Sequence, residues 1–122
     1  MFLELKRQIQ CQENRDRRYI TDYEFAIWLT MPKAKWTFNR QEDTYQRPKF
    51  IAPIDKGLHP TQKPYKTMKE ILEIHTNKDD TVLDCFAGSF TTCLAAQNLG
   101  RKSIGIELDK KYCDTGVKRL KK

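Results

Sequence analysis

The sequence predicts an α/β fold with a parallel sheet, and the second half of the chain carries that expectation. Short apolar runs at Thr81-Val82-Leu83-Asp84 and Ser103-Ile104-Gly105-Ile106 read as buried strands. Thr91 to Leu99 has helical texture and stops at Gly100, where a left-handed residue commonly ends a helix. Asp109 is placed to cap a last helix that turns Tyr112, Val117 and Leu120 inward. Strand, helix, strand, helix is a βαβα unit, which implies parallel strands joined by a right-handed crossover.

A further helix precedes the unit. After Pro64, Tyr65, Met68, Ile71, Leu72 and Ile74 approximate one helical face, and Asn77-Lys78-Asp79-Asp80 interrupts it. The first sixty residues are less regular. Phe2, Leu5 and Ile9 at helical spacing predict a short helix within residues 1–12, and Phe25 to Thr30 predicts a strand stopped by Met31-Pro32. A second short strand is expected at Lys35 to Phe38, and Asn39 to Pro60, with its prolines and Gly57, reads as loop. The chain therefore divides into a polar and aromatic segment, residues 1–57, and a more regular unit, residues 58–122.

At 122 residues the chain fits one small domain or half of a larger fold. The formal net charge of +7 suits a polyanionic partner, because cations that neutralise phosphates gain affinity by releasing counterions. Part of that charge, the cluster Lys118 to Lys122, is expected simply to favour a helix C-terminus. Cys11, Cys85, Cys93 and Cys113 form no CxxC pair, and His59 and His75 do not bracket them at zinc-finger spacing, so no metal site is expected. Cys85 and Cys93 read as buried, unreactive thiols. With neither a leader-like start nor a long apolar run, the expectation is a cytoplasmic chain with reduced thiols and no membrane partner.

Two features of the βαβα unit coincide at a telling distance. A small-residue turn, Ala87-Gly88-Ser89, ends the first strand, and Glu107 ends the second, nineteen residues after Gly88. Nucleoside-binding α/β folds hold their ligand at the carboxyl ends of parallel strands, where a glycine admits the ligand and a carboxylate about 20 residues on accepts the ribose hydroxyls. The turn lacks the GxGxxG fingerprint of dinucleotide sites and the lysine of a phosphate-binding loop. A nucleoside without phosphates, such as S-adenosylmethionine, fits better.

The block Leu58-His59-Pro60-Thr61-Gln62-Lys63-Pro64, then a helix, then Val82-Leu83-Asp84-Cys85-Phe86-Ala87-Gly88-Ser89-Phe90-Thr91-Thr92, resembles the C-terminal half of the amino-group DNA methyltransferases, which act on adenine N6 or cytosine N4. The order matches the β class of that family. The likeness is strong from residue 58 to 107 and extends more weakly to about 19 and 120. It implies a partial Rossmann-like α/β fold that uses S-adenosylmethionine, with double-stranded DNA as substrate and adenine N6 favoured over cytosine N4. By this resemblance Asp84, Phe86 and Gly88 line the cofactor site, Glu107 binds its ribose, and Thr61 and Lys63 flank its methionine end.

Two departures qualify the resemblance. The family's commonest turn is Gly-Ser-Gly, and here Phe90 stands third, where a side chain is expected to forbid positive φ and to crowd the site. The family's catalytic tetrapeptide, Asp/Asn/Ser-Pro-Pro-Tyr/Phe/Trp, is absent from the 122 residues, so no catalytic residue is assigned. The expectation is a chain inactive by itself, either a truncated product or one piece of a split enzyme whose companion chain carries that motif; the rival is a non-catalytic DNA-binding remnant or subunit. Lys33, Lys35 and Arg40 are the candidate phosphate contacts. For Trp28, Trp36 and Phe38 a core role is favoured over stacking on a base.

Overall fold

The computed structural model describes residues 2–8, 23–41, 49–53, 57, 59 and 61–121. Its elements in chain order are strands β1 (Phe2–Gln8), β2 (Tyr23–Ile27) and β3 (Lys49–Pro53), helix α1 (Tyr65–His75), strand β4 (Thr81–Asp84), helix α2 (Thr91–Asn98), strand β5 (Lys102–Gly105) and helix α3 (Lys110–Leu120). They form two sheets. In one, β1 lies between an antiparallel β2 and a parallel β3; in the other, β4 and β5 run parallel, with Leu83 opposite Ile104.

The βαβα unit forms where its sequence places it. Asp109 caps α3, its Oδ1 accepting from the N–H groups of Lys111 at 2.8 Å and Tyr112 at 3.4 Å. Gly100 follows α2 with φ +72, a conformation that its missing Cβ makes inexpensive. Ala95 and Ala96 are fully buried, and such small side chains let α1 approach α2 through Tyr65, Met68 and Leu72. Other α1 residues face a second core: Ile74 and Ile71 pack with Phe50, Ala26 and Trp28. Burying side chains such as Phe50 and Ile74 stabilises by about 1.5–3 kcal/mol each. Thus α1 joins the two sheets.

Four expectations for the first half need correction. Residues 2–8 form β1 rather than a helix; Leu3, Glu4, Leu5 and Lys6 alternate apolar with polar, and pairing on both edges by β2 and β3 decides between the two periods. The remainder of that expected helix, including Ile9, lies outside the described residues. Lys35 to Phe38 is irregular instead of a strand, because it straps over the end of α1. There Asn39 donates its backbone N–H to Ile74 O at 2.6 Å and its side-chain amide to the carbonyls of Glu73 at 3.0 Å and Thr76 at 2.9 Å. Within the expected loop, Lys49–Pro53 is β3, burying Phe50 and Ala52 alternately. The β2 strand also ends at Ile27 rather than Thr30, since its register against β1 ends with the Ile27–Phe2 pair.

Leu83 on β4, Ile104 on β5 and Ile106 just after it remain more than half exposed. Parallel sheets are ordinarily covered on both faces. Among the described residues, none of the helices is long and apolar enough to cross a membrane.

Candidate cofactor site

The site begins where β4 ends. Ile106 N–H donates to Asp84 O at 2.8 Å and Ala87 N–H to Ile106 O at 2.9 Å, so the exits of the two strands are tied before the chain turns. Asp84 Oδ1 then accepts from Phe86 N–H at 3.1 Å, and Phe90 N–H closes the turn on Ala87 O at 2.7 Å. Gly88 sits at its apex with φ +53. From α3, Arg119 Nη1 donates to Ser89 O and Thr91 Oγ1, both at 3.0 Å. A residue of the cationic cluster first assigned to the helix dipole thus braces the turn.

A cleft of about 260 Å³ opens between this turn and the preceding loop. Thr61, Lys63, Asp84, Phe86 and Gly88, all expected from the sequence, line it together with His59, Gln62, Ser89, Thr91 and Thr92. Its volume falls just below the ~300 Å³ lower bound of common small-molecule pockets, as one wall of a larger pocket would. His59 organises the loop side: Nδ1 lies 3.2 Å from the donating Thr61 N–H and 3.1 Å from Thr61 Oγ1, and its ring meets Tyr112 edge-on with centroids 4.2 Å apart. Lys63 Nζ donates to Glu24 Oε2 at 2.8 Å, tying the loop to β2.

Glu107 stands just beyond the lining. Its Oε2 accepts from Gly88 N–H at 2.7 Å and its Oε1 from Asp109 N–H at 2.9 Å. The Asp109 and Gly88 donors hold its carboxyl below the usual carboxylate range. It is therefore ionised at neutral pH, and a carboxylate offers about four acceptor positions, so two engaged oxygens still leave room for hydroxyl donors. The nineteen-residue spacing is thus a direct contact between turn and carboxylate.

Phe90 overturns both expectations made for it. Its φ of +59 lies in the left-handed region, so the side chain does not forbid the turn. A non-glycine residue there costs about 1–2 kcal/mol, which full burial of a phenylalanine ring, about 1.5–3 kcal/mol, offsets. The ring also leaves the cleft open, because it is buried on the far side of the turn between Gly105 and Gly116, beside Ala87, Cys93, Cys113 and Leu120.

The remaining predicted residues sit elsewhere. Lys33, Lys35 and Arg40 are exposed along the segment that straps α1 and do not line the cleft. Cys93 is buried, as expected, and burial pushes its thiol pKa up, whereas Cys85 is exposed, because it lies in the turn past the end of β4. Among the described residues no group of histidine, cysteine and carboxylate side chains is placed to hold a metal ion. His59, for which its place in the HPTQKP block favoured a site role over a turn cap, does line the cleft. Sequence reasoning assigned no site role to Ser89, Arg119 or Glu24; Ser89 lies inside the quoted turn and was legible there, whereas Arg119 and Glu24 gave no local signal.

A family model described as DNA methylase matches residues 4–118. The DNA adenine methyltransferase YhdJ of Escherichia coli (strain K12) is 52% identical over 62 residues, 51% of this chain and 21% of that protein. The Type II methyltransferase M2.LlaDCHI of Lactococcus lactis subsp. cremoris is 47% identical over 66 residues, 54% of this chain and 24% of that protein. The crystal structure of the M1.HpyAVI–SAM complex aligns with a TM-score of 0.86 and 46% identity over 98% of this chain and 61% of that one. The cytosine-N4-specific PvuII DNA methyltransferase shares the fold, with a TM-score of 0.75 at 18% identity over 98% of this chain and 50% of that one. The chain thus spans about a quarter or less of these two curated relatives.

Proposed function

The chain belongs to the DNA methylase family, and we propose that it forms the S-adenosylmethionine-binding wall of a site-specific DNA methyltransferase that acts on adenine N6. The observation that carries this reading is the cleft itself, where the His59 to Lys63 loop and the Asp84 to Ser89 turn meet with Phe90 directed away. The cofactor supplies an electrophilic methyl group on a sulfonium. Glu107, ionised and anchored beside Gly88, accepts from ribose hydroxyls, and Thr61 and Lys63 face the methionine end. The adenine preference is supported by the 52% identity, over 62 residues, to a DNA adenine methyltransferase.

Residues 58–122 serve as the cofactor unit and residues 1–57 as the DNA-contacting segment. An exocyclic amine conjugated with its ring is a poor nucleophile, and enzymes that modify a base extrude it into a pocket. The catalytic tetrapeptide that would hold this amine has no counterpart in the sequence, so methyl transfer requires further polypeptide that carries it, on a companion chain or otherwise. The half-exposed Leu83, Ile104 and Ile106 give that polypeptide an apolar face to cover.

Calorimetric titration with S-adenosylmethionine tests the reading. Micromolar binding that is lost in Glu107→Ala is expected; no uptake by a folded chain, or methylation of duplex DNA by this chain alone, overturns it. A second reading, a non-catalytic DNA-binding remnant or subunit, is favoured by the exposed Lys33, Lys35 and Arg40. It predicts DNA binding that falls steeply with salt and no cofactor uptake.

A further inference from the structure

We propose that Glu24 on β2 is a positioning residue for the cleft, holding the Lys63 ammonium ready for the carboxylate of an amino-acid-bearing nucleoside. This rests on the cofactor reading above and assigns a site function to a strand remote from the cofactor motifs.

Among the described residues that line the cleft, Lys63 is the sole lysine or arginine, and Asp84 is the sole carboxylate. A zwitterionic amino-acid tail needs one charge of each sign. Lysine, however, is a strongly hydrated point charge on a four-carbon stem with large rotamer freedom, and ordering that stem on binding subtracts from affinity. Glu24, thirty-nine residues earlier in the chain, removes much of this cost by accepting from Nζ at 2.8 Å. An ammonium has three donors, so the tether leaves two for a ligand.

A structural role explains the pair less well. The Lys63 and Glu24 side chains are 43% and 26% exposed, and pairs so accessible to water add little to fold stability. Charge alone points the other way from positioning. Glu24 partly neutralises Lys63, so a purely electrostatic role makes its removal tighten the binding of a carboxylate.

That opposition makes the experiment decisive. Calorimetry on the full chain compares S-adenosylmethionine with 5′-methylthioadenosine, which lacks the amino-acid tail and carries a neutral thioether in place of the sulfonium. Glu24→Ala is expected to bind S-adenosylmethionine about tenfold more weakly, the loss of one charge-assisted hydrogen bond's ordering, with methylthioadenosine unchanged. Glu24→Gln, whose amide oxygen still accepts from the ammonium, recovers most of the affinity. Unchanged or tighter S-adenosylmethionine binding by Glu24→Ala overturns the positioning role, and so does an equal loss of both nucleosides. If the unaltered chain binds neither nucleoside, the cofactor reading itself fails and this inference falls with it.

Discussion

Phe90 and Trp28 each bring an aromatic ring to a helix junction, and the two junctions are built differently. Phe90 is 6% exposed, enclosed by Gly105, Gly116 and small apolar side chains, behind the turn that lines the cleft. Trp28 belongs to an open cluster with Trp36, Phe38 and His75, with ring centroids 4.8 to 6.3 Å apart, where the strap from β2 crosses the end of α1. Trp36 is 57% exposed, and His75 keeps a buried Nδ1 without a hydrogen-bond partner among the described residues. The first junction is limited by steric fit alone. The second is more open, and it contains an imidazole whose pKa burial lowers below its ordinary 6.5. A close-packed wall thus backs the turn of the candidate site, while the joint to the first strands is more open and is expected to be the softer of the two toward acid.

The largest expected effect sharpens the steric side. A Cβ at Gly116 would overlap the Phe90 ring, and the ring has little room to retreat, because it lies so close to Gly105 on the other side that a Cβ added there would come within 2.7 Å of it. Gly to Ala inside a helix ordinarily stabilises by about 1 kcal/mol. Overpacking of this kind costs about 1–3 kcal/mol and occasionally more; an overlap with the ring itself belongs at the upper end, so after the helix gain Gly116→Ala should destabilise by up to about 2 kcal/mol net. In a Phe90→Ala background the same substitution should become neutral or stabilising. Urea unfolding of the four proteins of that cycle measures the coupling; additive effects would mean that ring and glycine are not in contact.

What the sequence disclosed follows the same division. The boundaries of β4, α2, β5 and α3 were legible to within a residue or two because each carries local punctuation, such as Gly100 after α2 and Asp109 before α3. The cleft lining was legible because its residues sit in two short motifs. In contrast, β1 and β3 are strands through partners distant in sequence, and the Lys35 to Phe38 strap is set by the carbonyls it meets on α1. The direction of the Phe90 ring depends on two glycines fifteen and twenty-six residues further on. Gly116, a glycine in the middle of a helix, was the one hint of it.

An intermediate effect tests the soft joint by pH. Burial lowers the His75 pKa below its ordinary value of 6.5, and a hydrogen bond to the Thr37 backbone opposes that only in part. The unfolded chain therefore takes up this proton more readily than the folded one. Stability from neutral His75 is complete above pH 6.5 and is lost as pH falls from there toward the folded value. The melting temperature should decline on acidification in this window, before the carboxylates titrate. His75→Phe should flatten the decline. A wild-type melting temperature that is level across the window would show that this joint is as indifferent to pH as the Phe90 pocket.

The smallest effect concerns Trp36. It meets Trp28 edge-on at 5.3 Å and Phe38 at 6.3 Å, yet more than half of its surface faces water. Edge-to-face pairs contribute about 0.5–1.5 kcal/mol beyond area burial, and an exposed ring should fall at the low end, so Trp36→Ala is expected to cost about 0.5–1 kcal/mol in urea unfolding. Trp28→Ala should cost distinctly more, because Trp28 also packs on the buried Phe50 and Ile74. Equal costs for the two would place Trp36 in the core and erase the contrast between the junctions. A small cost leaves Trp36 free for contact outside the fold, and duplex binding then separates its two readings. If Trp36→Ala weakens DNA binding while stability hardly changes, the ring acts on nucleic acid. If both remain near wild type, it serves only to shield the rings beneath it.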